Sequence, residues 1–520
     1  MRRNPVTLMC FAVLTLTIMS ALLHAADQPQ WGQRDSRNMV SGETGLPETF
    51  EPGTRNTQTG NIDLPDGSGV KWIAKLGSQT CGSPVIAGGK IFVGTNNDAA
   101  RDKRIQVDYG VLMCFDEKTG EFLWQLLVPK LMKIKWADWR YIGLTSPPTV
   151  EGDRAYLVSN RCEVLCIDVD GMADGNDGPF TDEGRHMTMA DQKPVEPTER
   201  DGDIIWCYDM NKQLNVEPHN ATHCSVLVHG DYLYVCTSNG VEWTHMKVVH
   251  PEAPSVIVLD KRTGKLVARD DFGIGPDITH GQWSSVTTGK VGDKQLGFFG
   301  AGDSYMYAFE MLDPKQIDQG AASSKNVAKL KNVWKFCGDP LGQTQDKVLP
   351  DHQHDSTSYQ VTAMPVFHEN RIYLTFTQEP FHRMKKGWMV CVDATKTGDI
   401  TRSGLVWSYD KLGSGISTAA IAGGLVYVSD FSNGLHCLDA ETGELHWMHK
   451  TGGPIWGSPM AADGKVYLGT GRNTLWVLSA GRELKVLNRI RMRDQVLTTP
   501  VAANGVLYVA TNKHLYAVGK

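Results

Sequence analysis

LHCLDAETGELHW, residues 435–447, is an alternating apolar stretch that breaks at Thr442-Gly443 and restarts toward a tryptophan. Alternation of period two marks a half-buried strand, and a short Gly-containing break between two such runs marks a hairpin. One hairpin cannot cover its own apolar faces, so this stretch has to stack on others like it. It recurs as LMCFDEKTGEFLW at 112–124 and VIVLDKRTGKLVA at 256–268, and in degraded form as MVCVDATKTGDI at 389–400 and VLCIDVDG at 164–171.

A second half precedes each copy: GSPVIAGGKIFVGT (82–95), SPPTVEGDRAYLVS (146–159), CSVLVHGDYLYVCT (224–237), TAMPVFHENRIYLTF (362–376) and TAAIAGGLVYVSD (418–430). The same half appears as GSPMAADGKVYLGT (457–470) and TTPVAANGVLYVAT (498–511), and the divergent stretch 283–309 keeps the order. That makes eight units, each parsing as four short strands: a small-residue strand, a Gly turn, an alternating strand, a variable loop, a strand ending in Asp, the Thr-Gly turn, and a strand ending in Trp. Small first strands suit a crowded axis. Trp72, Trp124, Trp206, Trp334, Trp407 and Trp447 suit the wider outer contacts between sheets. The expected fold is all-β, an eight-bladed β-propeller of four-stranded antiparallel blades. The last unit ends at LYAVGK without a fourth strand and GVKWIAKLG (69–77) is an orphan, so N- and C-terminal segments should pair to close the ring.

The repeat resembles that of the pyrroloquinoline-quinone-type (PQQ-like) eight-bladed propeller family, whose unit runs small-small-Pro, Gly turn, tyrosine strand, Ala-Leu-Asp, Thr-Gly, Trp. The resemblance covers most of residues 69–520. It implies the fold rather than the cofactor, because one fold carries many functions. Quinone-dependent alcohol dehydrogenases of this fold are marked by a vicinal Cys-Cys pair, a calcium-binding Glu-Asn-Asp set and a catalytic Asp. This chain has no adjacent cysteines, and no catalytic residue is assigned by the resemblance.

The remaining properties bound the setting. Two N-terminal Arg, an apolar run from Leu8 to Leu23 and small residues at Ala25-Ala26 predict a cleavable signal peptide over 1–25 and a periplasmic or secreted protein. Cys10 lies inside the run rather than after it, so lipid anchoring is not expected. No later stretch reaches the roughly 20 apolar residues of a membrane span. With 21% charged residues and net charge -6, the chain lacks a basic face for nucleic acid. Residues 26–68 read as an extension packing on the propeller (69–520), and 168–203 as an insertion expected to project opposite the long loops. Its Asp170, Asp174, Asn176 and Asp177 have the oxygen chemistry of a Ca²⁺ loop. Cys114, Cys166, Cys391 and Cys437 share a repeat position held elsewhere by Ala308 and Ala517, which marks them as small and buried.

Sorting loops by face puts much of the ionisable chemistry on one rim. His219, His223, His280, His352 and His354 precede first strands in units three to five, with the donor chemistry of a transition-metal site. Glu242, Trp243, Asp303 and Glu379 follow second strands, and Trp243 with Trp283 suits stacking on a sugar or another flat ligand. The expected function is a non-catalytic scaffold for a small molecule, glycan or envelope protein, a role similar to that of the outer-membrane-assembly propellers of this fold. The alternatives are a PQQ- and Ca²⁺-dependent alcohol or sugar dehydrogenase, with Asp303 or Glu242 as base, and a His-rich metal-binding propeller.

Overall fold

The computed structural model describes residues 26–131, 138–242, 244, 247–313, 327–339, 359–378 and 386–519. Eight of their sheets are antiparallel blades, each built on four strands, in sequence order around a ring, and Thr54–Arg55 pairs with Ile62–Asp63 in a separate two-stranded sheet. Blade 1 runs from Val85–Ala87 to Phe122–Val128, and blade 8 consists of Val501–Ala503, Val506–Ala510, His514–Val518 and, from the other end of the chain, Val70–Lys75. First strands of adjacent blades touch, as Val85–Ala87 and Thr149–Glu151 do, which places them at the axis. Two-residue strands at 328–329 and 398–399 add a parallel fifth strand outside blades 3 and 4. The proposed signal peptide lies outside the described residues, and no described helix is long and apolar enough to cross a membrane.

The repeated residues act as one device. In six blades an aromatic on the second strand, a small residue on the third and a Trp on the fourth lie in a row across the sheet, as in Tyr427, Cys437 and Trp447. The two rings close over the small residue, with centroids 5.8 to 6.2 Å apart. A β-bulge follows the row in the pairing of every third and fourth strand. Each of the six Trp Nε1–H groups donates to a carbonyl of the next blade at 2.9 to 3.2 Å, from Trp72 to Glu117 around to Trp447 to Gly481. The Thr-Gly turn is shaped to receive it. Asp116 Oδ1 accepts from Thr119 N and Oγ1, and Gly120 has φ +72°, where a Cβ would sit 2.4 Å from the Trp72 ring.

Residues 26–43 run across the first strands, mostly at the second residue of each, and bond to all eight blades. Gln28 and Pro29 carbonyls accept from Ile86 and Val150, Asp35 and Ser36 carbonyls from Thr288 and Phe367. Asn38 pairs with Ile421, Met39 and Ser41 with Ala461, and Ser41 Oγ with the Ala502 carbonyl. Arg37 is wholly buried and donates to the carbonyls of Trp31, Ser225, Val226 and Val286. Burial pushes its pKa down to about 10. The segment closes one end of the axial channel.

The insertion does not project freely from that face. It folds back along the outer strand Ile204–Asp209, bridges Asp201 to Gln125 of blade 1, and is tied there by Arg104 to Asp201 at 2.9 Å. All ten described cysteines are free thiols, and Cys114, Cys166, Cys391 and Cys437 are buried.

Candidate functional site

The residue four places before each first strand occupies the same point in all eight blades: Cys81, Thr145, His223, Trp283, Thr362, Ile416, Trp456 and Leu497. All eight line one axial cavity of about 220 Å³ at the rim where the long loops emerge. The repeat fixes this geometry, since each first strand starts from the same height on the axis and points the same backbone position inward. The N-terminal segment adds Trp31, held by its Nε1–H to Thr499 Oγ1 at 3.1 Å, while the lead-in to blade 2 adds Trp139 and Ile142. Asn220, Gln360, Ser83 and Thr499 supply amide and hydroxyl groups. Among the described residues no Asp, Glu, Lys or Arg lines the cavity. Among the described residues His223 is its one imidazole; its ring meets Trp31 edge-on at 5.6 Å, and burial holds its pKa down at about 4, so it is neutral near pH 7.

The sequence-derived candidates divide. His219 and His280 come together, rings 4.4 Å apart, with His219 Nδ1 2.8 Å from the Val241 carbonyl. His280 packs edge-on against Trp283, whose Nε1–H donates to the His219 and Ala221 carbonyls. These two imidazoles buttress a cavity wall, and His223 faces the cavity itself. Gly240 permits the packing, because a Cβ there would lie 2.7 Å from His219 Cβ and from the His280 carbonyl. Asp303 accepts from Tyr307 OH at 2.5 Å and Tyr305 N at 3.1 Å, yet burial pushes its pKa up to about 7. Glu242 accepts from the Thr244 amide at 2.8 Å, within its own turn. Neither carboxylate lines the axial cavity. Trp243, Glu379, His352 and His354 lie outside the described residues. Of the insertion's candidates, Asp170 and Asp174 cluster with Asp168, and Lys90 pairs with Asp170 at 2.9 Å. Asn176 turns to Glu183, and the Asp177 amide donates to Asp203.

Sequence reasoning missed Trp31, Trp456, Ile416 and Leu497. A signal was present: the eight units align without gaps ahead of their first strands, so one column of that alignment names one wall residue from every blade. Trp31, outside the repeat, had no such signal.

A quinone tricarboxylate with calcium needs cationic side chains against its carboxylates and anionic oxygens around its metal. The described wall offers neither, so it does not fit that cofactor. It fits a neutral ring, with indole faces for stacking and amides and hydroxyls for hydrogen bonds.

Among solved structures, BamB from Moraxella catarrhalis superposes with a TM-score of 0.51 at 12% identity, covering 87% of this chain and 97% of that one. A europium-containing methanol dehydrogenase superposes with a TM-score of 0.58 at 10% identity, covering 95% and 98%. At such identities the likeness shows the fold alone. No curated protein sequence matches the chain. The family profile described as outer membrane protein assembly factor BamB matches residues 72–274 and 385–486. With more than half its length matched, and with the repeat and its eight blades in place, the chain belongs to this PQQ-like propeller family.

Proposed function

We propose that the protein is an exported, non-catalytic ligand-binding propeller whose axial cavity takes one neutral sugar ring of a glycan. The observation that carries this reading is the wall itself: Trp31, Trp139, Trp283 and Trp456 beside Asn220, Gln360, Thr362 and Thr499, with no charged side chain among the described lining residues. Indole faces stack on the apolar C–H faces of a sugar, and amides satisfy its hydroxyls in both donor and acceptor roles. The volume, about 220 Å³, lies below the ~300–1,000 Å³ usual for drug-sized ligands and suits a single ring. The apolar run from Leu8 to Leu23 supports export, and the exposed rim aromatics Trp139, Tyr141 and Trp456 leave room for a longer chain to continue outward.

The test is calorimetric titration with neutral cello-, malto- and chito-oligosaccharides, following tryptophan fluorescence in parallel. Binding should weaken at least about tenfold, roughly 1.4 kcal/mol, in Trp456→Ala. Dye-linked alcohol or sugar oxidation appearing on addition of pyrroloquinoline quinone and Ca²⁺ would overturn the reading in favour of a quinoprotein. Failure of every glycan to bind would also overturn it.

A further inference from the structure

A second constellation forms where the insertion returns to blade 2. Strand register pairs Glu163 with Asp209 and Leu165 with Cys207, so Glu163 and Cys207 are diagonal neighbours on one face of the sheet. The insertion's short helix, Glu183–His186, lowers an imidazole onto that face. His186 Nε2 lies 3.0 Å from Glu163 Oε2. One ligand atom from each of Glu163, His186 and Cys207 lies within 4.8 Å of the other two. Glu163 and His186 are buried, Cys207 is half-buried, and the buried Nδ1 of His186 makes no hydrogen bond among the described residues.

We propose that Glu163, His186 and Cys207 form a binding site for a divalent transition metal, Zn²⁺ by its donor chemistry, which pins the insertion to blade 2. Carboxylate, imidazole and thiolate are the three ligand types Zn²⁺ takes, at bond lengths of about 2.0–2.3 Å. A tetrahedral ion with such bonds holds its ligands roughly 3.3–3.8 Å apart, a spacing that side-chain rotation can reach from groups already within 4.8 Å of one another. The half-buried thiol leaves the fourth position on the solvent side for water.

The surrounding groups suit that role. Arg161 pairs with Glu163 Oε1 at 3.4 Å, while the Ser159 hydroxyl and His186 address Oε2, so the carboxylate is oriented from behind. The Arg161 guanidinium beside Oε1 favours the ionised Glu163 carboxylate. Burial, then the Glu163 charge, pushes the Cys207 thiol upward. A divalent ion there takes Cys207 as the thiolate, so the thiol proton leaves to solvent as the metal–sulfur bond forms. The purpose follows from the fold. The insertion interrupts a sheet whose outer strand resumes at Ile204, and a metal bridging both strands to the helix fixes a long excursion at its far point.

The experiment uses the full chain, stripped with chelator and titrated with Co²⁺ and then Zn²⁺. One equivalent of Co²⁺ should bind with a thiolate-to-metal charge-transfer absorption, and Zn²⁺ should displace it. The band should vanish in the near-isosteric Cys207→Ser. Zn²⁺ affinity should fall at least about tenfold in Glu163→Gln and His186→Ala, the lower end of what losing even an outer-sphere partner costs. Zn²⁺ should raise the melting temperature of the wild type and not of Cys207→Ser. Absence of a thiolate band, its survival in Cys207→Ser, or equal Zn²⁺ affinity in all variants would overturn the proposal. Should His186→Ala fail to fold, the two near-isosteric variants carry the test alone.

Discussion

Cys437 shows what one residue of the repeat is for. It lies between Tyr427 and Trp447, whose rings meet across it at 6.0 Å, and its neighbours in other blades are Cys or Ala under the same pair of rings. The thiol acts as a small apolar filler, so Cys437→Ala should cost about 1 kcal/mol or less in urea denaturation. Cys437→Leu should cost about 2–3 kcal/mol, because the added methyls have no space beneath two aromatic rings. Equal stability of the two variants would show that the row is loose. Smallness at this position was legible in the sequence from the interchange with Ala308 and Ala517. The aromatic roof was not, because it comes from strands on either side of the residue rather than from its own.

At the scale of the element, the segment 26–43 has little regular structure of its own and yet bonds to every blade. Its centre is Arg37, a buried guanidinium that satisfies four carbonyls from three parts of the chain. Arg37→Ala leaves those acceptors buried without donors, and should destabilise the protein by about 3 kcal/mol or more. The measurement is the shift in thermal and denaturant midpoints; unchanged midpoints would mean that the segment only rests on the ring. Nothing local in the sequence marks Arg37, since an arginine flanked by Ser36 and Asn38 reads as surface. The insertion teaches a similar lesson. Its polar composition reads as a projecting loop, but His186, Phe180 and Met189 turn it back onto the sheet.

For the whole molecule the decisive contact joins the two ends of the ring. Trp72, on the only fourth strand supplied from the N-terminal side, packs on Tyr508 at 6.2 Å, lies over Gly120 and donates to Glu117. Trp72→Ala should therefore cost about 3–5 kcal/mol. Amide hydrogen exchange in blades 8 and 1 should accelerate first, because a closed ring unzips from its seam. Uniform acceleration around the ring would argue against a seam.

Eight copies of one hairpin pattern determined the ring by themselves, because alternation and Gly turns, with a paired small-residue and Trp position in most units, are local features written in the repeat's own letters. Only the tertiary structure decided what the ring encloses. Trp31 meets Thr499 across 468 residues, and His186 meets Glu163 through an excursion whose path no local pattern encodes. The physical reason is that a cavity wall and a ligand cluster are set by which distant backbones are brought to the same few ångströms, and closure of the ring is what brings them there.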